Sequence, residues 1–194
     1  MATLDVKGAG EFSGPCRYDP RGAGEIRVDV SGTLVLLRHG KSDWSAAGGD
    51  DRHRPLAKRG RRAARLAGQL LVEARLVPDV AVTSPAVRAA TTLELAMEAG
   101  GWRCPVLVSE ELYGGTLGGV LATVQAQPGF ASVVLLVGHE PTWSQLVGLL
   151  VGGGRHRMPT GALAAITFEV PWRQVGPGTG ELAFLVSPRL RSDA

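Results

Sequence analysis

The chain has 194 residues, which is enough for one domain with its own core. Apolar residues make up 44% of the sequence and charged residues 20%, and no apolar run reaches the roughly eighteen residues of a membrane-spanning helix. Composition therefore excludes a wholly disordered chain and a spanning helix. The net charge of +3 is too small to identify a nucleic-acid-binding protein by itself, although the sequence pI near 9.2 leaves that class open.

Cysteine content and the first residues indicate the compartment. Cys16 and Cys104 cannot form a disulfide framework, and neither has the spacing of a zinc site. Residues 1–16 contain no basic stretch followed by an apolar run, so the sequence predicts no signal peptide. We therefore expect a cytoplasmic protein without a bound metal.

The sequence divides into an N-terminal extension, residues 1–32, and a single domain, residues 33–190. The extension contains six glycines and two prolines among scattered charges, which predicts a flexible segment. Within it, residues 25–30 alternate polar and apolar side chains, so a hairpin with the following strand is a minority alternative. That hairpin fails if the following strand is central in the sheet, because both edges of such a strand are already paired.

Strands alternate with helices along the domain. The continuous apolar run at 33–37 predicts a strand buried on both faces. In chain order we predict strand 33–37, helix 55–76, strand 79–83, a helix with Ser84 as N-cap and Pro85 at its first position that ends at Gly100, strand 105–108, helix 118–127, strand 132–137, helix 142–151, and strands 162–168 and 182–186. Residues 171–180 are predicted to be a hairpin connection. The pattern predicts the α/β class, a sandwich with a mostly parallel sheet covered on both faces.

Polar side chains follow three of the predicted strands. Arg38 and His39 follow the first strand, Ser84 and Arg88 follow the second, and His139 follows strand 132–137. Because the carboxyl ends of parallel strands meet at one edge, we expect these side chains in one crevice. Arginine binds phosphoryl oxygens in bidentate fashion, a helix that begins at Ser84 directs free N–H groups at an anion, and a neutral imidazole is a competent nucleophile. The set predicts a phosphate pocket.

The same residues lie in motifs of a known family. Residues 36–44, which contain Arg38-His39-Gly40, resemble the R-H-G/A signature of the histidine phosphatase (phosphoglycerate mutase-like) superfamily. The continuation Lys41-Ser42-Asp43-Trp44 is similar to the SixA-type phosphohistidine phosphatase branch. Further similar segments are residues 51–56 (D-x-x-R-P-L), 83–92 (T-S-P-x-x-R-A-x-x-T), 137–141 around the second histidine, 159–162 and 187–188. The resemblance covers roughly residues 33–190.

The resemblance implies a three-layer α/β/α fold and a role for each matching residue. It implies that His39 is the nucleophile that becomes phosphorylated, that Arg38 and Arg88 hold phosphoryl oxygens, and that His139 hydrogen-bonds the phosphate. No metal and no cofactor are implied. The reaction is then two in-line transfers, from substrate to His39 and from phosphohistidine to water, with catalysis mostly electrostatic and positional.

The general acid is less well defined by the sequence. Larger members of the family use a glutamate after the third strand, and Glu110 and Glu111 lie in the comparable stretch, with Glu111 the better positional match. We therefore include Glu111 among the candidate catalytic residues. The alternative is that the two glutamates are a solvated loop pair, and a phosphoramidate leaving group needs less help from an acid than an alkoxide does.

A basic run extends from Arg52 to Arg65, with seven Lys or Arg and no acidic residue. It is interpreted as a solvated helix face, as a surface that steers an anionic substrate, or, least favoured because no aromatic residue lies within it, as a nucleic-acid surface.

Taken together, the residues predict a phosphatase with a phosphohistidine intermediate. Its partner would be a phosphohistidine protein or a small phosphorylated metabolite, with no membrane and no nucleic acid, and the chain would be a monomer or weak oligomer. Two alternatives stay open. One is a phosphate- or phosphoprotein-binding module without turnover. The weaker one is a metal hydrolase, because only two histidines are placed to converge and no H-E-x-x-H motif is present.

Overall fold

A six-stranded sheet runs through the residues that the computed structural model describes, 32–45 and 50–187. Its strands are β1 Gly32–Arg38, β2 Val80–Thr83, β3 Val106–Val108, β4 Val133–Gly138, β5 Leu163–Phe168 and β6 Gly180–Val186. They lie in the order β3-β2-β4-β1-β5-β6. The first four strands are parallel, and β5 and β6 form an antiparallel hairpin whose first strand pairs with β1. The predicted α/β class with a mostly parallel sheet is confirmed.

Helices cover both faces of this sheet. They are α1 Lys58–Glu73, α2 Val87–Gly100, α3 Glu111–Gly114, α4 Leu117–Gln125 and α5 Thr142–Leu150. The central strand β1 shows why three layers form, since successive side chains of a strand point to opposite faces. Leu34 and Leu36 pack in the cluster that contains side chains of α4 and α5, whereas Val35 and Leu37 pack with α1 and α2. All four are fully buried, and burial of each side chain stabilises the fold by about 1.5–3 kcal/mol.

The strand β1 has no free edge. It pairs with β4 in parallel register from Thr33 to Arg38 and with β5 in antiparallel register from Gly32 to Leu37. β1 therefore begins one residue inside the predicted extension. The proposed hairpin of residues 25–30 and the rest of that extension lie outside the described residues.

The start of α2 differs from the prediction. The N-cap is Ala86, without a side-chain hydrogen bond, so Ser84 and Pro85 precede the helix. The Ser84 hydroxyl accepts the N–H of Ala86, two residues on (3.2 Å), which forms a local turn before the helix begins. The prediction that Ser84 caps this helix is therefore wrong. The free N–H groups of the first helical turn begin after Ala86 and not at Ser84.

Other helix boundaries are close to those predicted. α1 begins at Lys58 and ends at Glu73, where Arg75 takes the left-handed conformation (φ 58°) that closes many helices. The one-turn helix α3 and a short 3-10 turn at Trp172–Gln174 were not predicted. None of the described helices is both long and apolar enough to cross a membrane.

Candidate active site

The carboxyl ends of β1, β2 and β4 meet at one pocket of about 420 Å³. It contains four of the residues predicted from the sequence, Arg38, His39, Arg88 and His139, as the strand rule requires. The remaining lining residues are Lys41, Ser42, Trp44, Asp51, Arg54, Tyr113, Glu140 and Thr160. The predicted residues Ser84 and Glu111 are not among the lining residues.

The loop that carries His39 is held tightly between β4 and α1. The His39 N–H donates to Gly138 O (3.0 Å), which continues the parallel ladder one residue beyond β1. A Cβ atom on Gly40 would lie 2.5 Å from Gly60 O, and one on Gly60 would lie 2.1 Å from Lys41 O. Only glycine at both positions allows this approach of loop and helix, so the two glycines fix where His39 stands.

The imidazole of His39 is neutral and leaves one ring nitrogen without a proton. Its Nδ1 lies 2.7 Å from Gly40 O, and because a carbonyl only accepts hydrogen bonds, Nδ1 carries the proton and Nε2 carries the lone pair. Burial, followed by the neighbouring His139, lowers the pKa of His39 to about 3, despite the opposing effect of the Gly40 carbonyl. His39 is therefore uncharged at pH 7 with Nε2 available for attack.

The second histidine lies beside the first. The ring centroids of His39 and His139 are 4.9 Å apart. His139 Nε2 is 2.8 Å from the hydroxyl oxygen of Ser84, which is fully buried. Burial, followed by the Arg88 guanidinium, lowers the pKa of His139 to about 4. Ser84, predicted as a phosphate ligand, does not line the pocket in this structure, and its hydroxyl is hydrogen-bonded to His139 instead.

Three guanidinium groups surround the histidines. Arg38 Nη1 donates to Met158 O (2.7 Å), and burial lowers the pKa of Arg38. Arg88 donates from Nη1 to the Asp51 carbonyl (2.6 Å) and from Nη2 to Asp51 Oδ2 (2.8 Å). Arg54 Nη2 lies 2.7 Å from Asp51 Oδ1. Sequence reasoning included Arg54 in a family motif without assigning it a role, and the fold adds it as a third arginine of the pocket.

Unpaired donors are concentrated at this pocket. Among the described residues, seven buried side-chain N or O atoms have no hydrogen-bond partner, and four of them belong to residues that line it: Nε of Arg38, Arg54 and Arg88, and Nδ1 of His139. Buried polar atoms are normally hydrogen-bonded, so four unpaired nitrogen atoms around one pocket indicate a ligand site. The chemistry of these donors, three cations and an imidazole, fits a phosphoryl group.

Asp51 is the carboxylate that balances the arginines. It bridges Arg54 and Arg88, and the Tyr113 hydroxyl donates to its Oδ2 (3.2 Å). Partial burial acts to raise the pKa of Asp51, but the two guanidiniums outweigh it and hold this pKa below its ordinary value. Asp51 is therefore ionised at neutral pH and is not a proton donor.

The prediction of Glu111 as general acid does not fit the structure. Glu111 is exposed at the start of α3, and a Cβ atom on Gly115 or Gly119 would lie 2.2 or 1.9 Å from its Oε2. The carboxylate therefore packs against the beginning of α4, outside the pocket. The neighbouring Glu110 is also exposed and forms an ion pair with Arg52.

The other carboxylate that lines the pocket is committed to hydrogen bonds. Glu140 Oε2 accepts from the Ser144 hydroxyl (2.6 Å), and Oε1 accepts from the Met158 N–H (3.2 Å). The part of the chain that the structure describes thus presents no carboxyl group poised to protonate a leaving group at His39.

Two buried histidines among arginines on a phosphoglycerate mutase-like α/β sandwich define the class of this protein, and comparisons with known proteins agree. The model of the histidine phosphatase superfamily (branch 1) matches residues 34–120. An uncharacterized protein of Mycobacterium tuberculosis (strain CDC 1551 / Oshkosh) is 33% identical over 163 residues, which cover 79% of this chain and all of that protein. The chain belongs to the histidine phosphatase superfamily.

Solved structures of the SixA type are similar over most of the domain. A candidate phosphohistidine phosphatase SixA from Nakamurella multipartitia superposes with a TM-score of 0.73 at 32% identity and covers 81% of this chain and 96% of its own. The protein histidine phosphatase SixA complexed with tungstate has a TM-score of 0.72 at 28% identity, with 82% and 99% coverage. Both likenesses support phosphatase activity.

Proposed function

We propose that this chain is a phosphatase that removes phosphate from phosphohistidine in a protein, through a phosphorylated intermediate on His39. The observation that carries the proposal is the geometry of His39, a neutral imidazole with a free Nε2 lone pair among three guanidiniums. The binding of tungstate, a tetrahedral oxyanion, by a SixA protein is consistent with a phosphoryl site.

In the first transfer, Nε2 of His39 attacks the phosphorus and the P–N bond to the substrate imidazole breaks in line with the attack. The substrate ring carries a proton from solvent on its other nitrogen, so it leaves as neutral imidazole. Arg38, Arg54 and Arg88 meet the charge on the equatorial oxygens. The Ser84 hydroxyl, which already accepts from the Ala86 N–H, donates to Nε2 of His139, so His139 carries its proton on Nδ1 and donates from there to the phosphoryl group. In the second transfer, water attacks the phosphorus, the bond to His39 breaks, and phosphate leaves with the proton balance supplied by water. The Gly40 carbonyl holds the Nδ1 proton throughout, so each bond to Nε2 forms and breaks without rotation of the ring.

The lack of a poised acid favours a phosphoramidate over an ester. Asp51 is ionised between two arginines, Glu140 is hydrogen-bonded, and Glu111 faces away. An alkoxide is a strong base and requires a proton from an acid as it leaves, whereas a phosphorylated imidazole can take a proton from solvent on its second ring nitrogen near neutral pH and then leaves as a neutral ring. The pocket therefore suits phosphohistidine better than a phosphate ester of a small metabolite.

The test compares two peptides of one sequence, phosphorylated on histidine or on serine. We expect kcat/KM for the phosphohistidine peptide to exceed that for the phosphoserine peptide by at least about 100-fold, since a missing general acid costs an ester substrate that much. Alkaline quenching followed by mass spectrometry should find phosphate on His39. The His39→Ala variant should lose the label and turnover, and the matched His53→Ala variant, in an exposed pair with Asp50, should keep both.

Two results would contradict the proposal. Equal rates on the two peptides would remove the argument for phosphohistidine and favour the metabolite alternative. Tight phosphate binding without turnover of either peptide would assign the chain to the binding-module alternative.

A further inference from the structure

A second groove, of about 520 Å³, adjoins the phosphate pocket. The two cavities share Lys41, Ser42 and Trp44, so a ligand can extend from one into the other. The other lining residues of this groove are Asp43, Ser45, Ala57, Lys58, Arg59 and Arg62. We refer to the groove lined by these nine residues as the basic groove.

The walls of the basic groove are joined to the loop that carries the nucleophile. The Ala57 N–H donates to Lys41 O (2.8 Å), and the Asp43 N–H donates to Pro55 O (2.9 Å). An isolated bridge between Ser42 and Leu56 completes the contact. The first turn of α1 is thus fixed beside the phosphate pocket.

The charge of the groove is strongly positive. Four cations line it, Lys41, Lys58, Arg59 and Arg62, against the single carboxylate of Asp43. Lys58 and Arg59 begin α1, whose first turn has no acidic residue, although a helix N-terminus disfavours cations. Arg59 and Arg62 are also three residues apart, where like charges repel. Helix stability therefore does not account for these residues.

An exposed aromatic ring separates the groove from the pocket. Trp44 is 68% exposed, and the buried Arg54 guanidinium lies 3.5 Å from the centroid of its ring. Tryptophan and arginine are the residues most enriched at energetically important positions of protein interfaces. Trp44 is the single aromatic residue among those that line the groove, which is too few to stack successive bases of a nucleic acid.

We propose that the basic groove binds an acidic segment of the protein substrate that flanks its phosphohistidine, with the carboxylates on Lys58, Arg59 and Arg62 and an apolar side chain against Trp44. The proposal rests on the proposed function, since it specifies which phosphohistidine proteins the pocket accepts. The cations of the groove extend from Lys41 in the loop after β1 to Arg62 on α1, which fits several carboxylates of a polypeptide better than the one additional phosphate of a small bisphosphorylated molecule.

The experiment measures the ratio of kcat/KM for two phosphohistidine peptides, one with acidic flanks and one with the acidic residues replaced by Gln or Asn. The test variant is R59A/R62A. The control is R61A/R103A, which removes the same net charge from exposed residues that do not line the groove; Arg103 precedes β3, an edge strand of the sheet. Alanine is compatible with the helix at positions 59, 61 and 62, so folding should be retained.

We expect the wild-type chain to prefer the acidic peptide by at least about tenfold, mainly through KM, and to lose this preference at high salt. The R59A/R62A variant should bring the ratio close to one, with an unchanged or higher Tm because unfavourable charges leave the helix start. The R61A/R103A variant should keep the wild-type ratio.

The outcomes separate the two proposals. Equal kcat/KM for both peptides with the wild-type chain would overturn the proposal for the basic groove and leave the proposed function in place. An equal decrease of the kcat/KM ratio in the two double variants would do the same. Turnover of neither peptide would contradict the proposed function and the groove with it. Inhibition by a single-stranded oligonucleotide as strong as inhibition by the unphosphorylated acidic peptide would assign the groove to nucleic acid instead.

Discussion

The two buried histidines should make the stability of this protein fall steeply in mild acid. Burial lowers the pKa of His39 to about 3 and that of His139 to about 4, against an ordinary value of 6.5. At pH 5 the unfolded chain protonates both side chains while the folded chain protonates neither. Each histidine therefore favours unfolding by roughly 2 kcal/mol at pH 5 relative to pH 7, and the pair by roughly 4 kcal/mol.

The sign and the range of pH follow from the direction of these shifts. Both folded-state pKa values lie below the unfolded value, so the unfolded chain binds more protons and stability decreases as pH falls. The destabilising effect is nearly absent well above pH 6.5, grows as pH falls below 6.5, and is complete near pH 4 for His139 and near pH 3 for His39. Between pH 8 and 7 little of it should change.

The assay is urea unfolding, followed by circular dichroism in phosphate-free buffers at pH 8, 7, 6 and 5. The variants are His39→Gln, His139→Gln and the double variant, which replace each imidazole by a neutral polar side chain. Between pH 7 and 5, the free energy of unfolding should decrease by about 2 kcal/mol less in each single variant than in the wild-type chain, and by about 4 kcal/mol less in the double variant. If the double variant loses as much stability as the wild-type chain, the histidines are not buried as neutral groups, and the argument for a neutral nucleophile fails.

Three further substitutions test how the site is built. Ser84→Ala removes the hydrogen bond behind the second histidine, so kcat should fall roughly tenfold with little change in KM, as steady-state kinetics will measure. Glu111→Gln should keep kcat/KM for a phosphohistidine peptide within about twofold, whereas loss of a general acid would lower it by about 100-fold or more. Gly60→Ala should displace the nucleophile loop and lower Tm and activity, since overpacking typically costs about 1–3 kcal/mol. Gly118→Ala, where the nearest atom is 3.8 Å away, is its matched control and should leave both unchanged or raise Tm.

The residues that the sequence predicted well are those whose position depends on one strand. Arg38 and His39 follow the apolar run of β1, and His139 follows β4, so the rule for carboxyl ends of parallel strands was sufficient to place them together. Arg88 is set by β2 and the helix that follows. These placements need only local patterns and the layer architecture, which the alternation of strands and helices already indicates.

The residues that sequence reasoning misplaced depend on contacts between distant segments. A Ser-Pro pair after a strand has the pattern of a helix start, but the hydroxyl of Ser84 is used by His139, 55 positions away. Arg54 becomes a pocket residue because residues 55 and 56 are joined to the nucleophile loop by backbone hydrogen bonds. Its i,i+3 partner Asp51 was a usable signal, since an Asp–Arg pair three residues apart in a family motif indicates a fixed ion pair. Nothing in the sequence indicates which way Glu111 points.

The arginines contribute to both requirements of the site. A nucleophilic histidine must be uncharged, and a phosphoryl group must meet positive charge. Burial is the largest cause of the low pKa values of His39 and His139; Arg88 and Arg38 add to it, and the same guanidiniums face the phosphoryl oxygens in the proposed reaction. Asp51 limits this field, because it acts to raise the pKa of His139 while holding Arg88. An arriving dianion adds negative charge beside the imidazoles and raises their pKa values, so His139 gains a proton most readily when there is a phosphoryl group for it to bind.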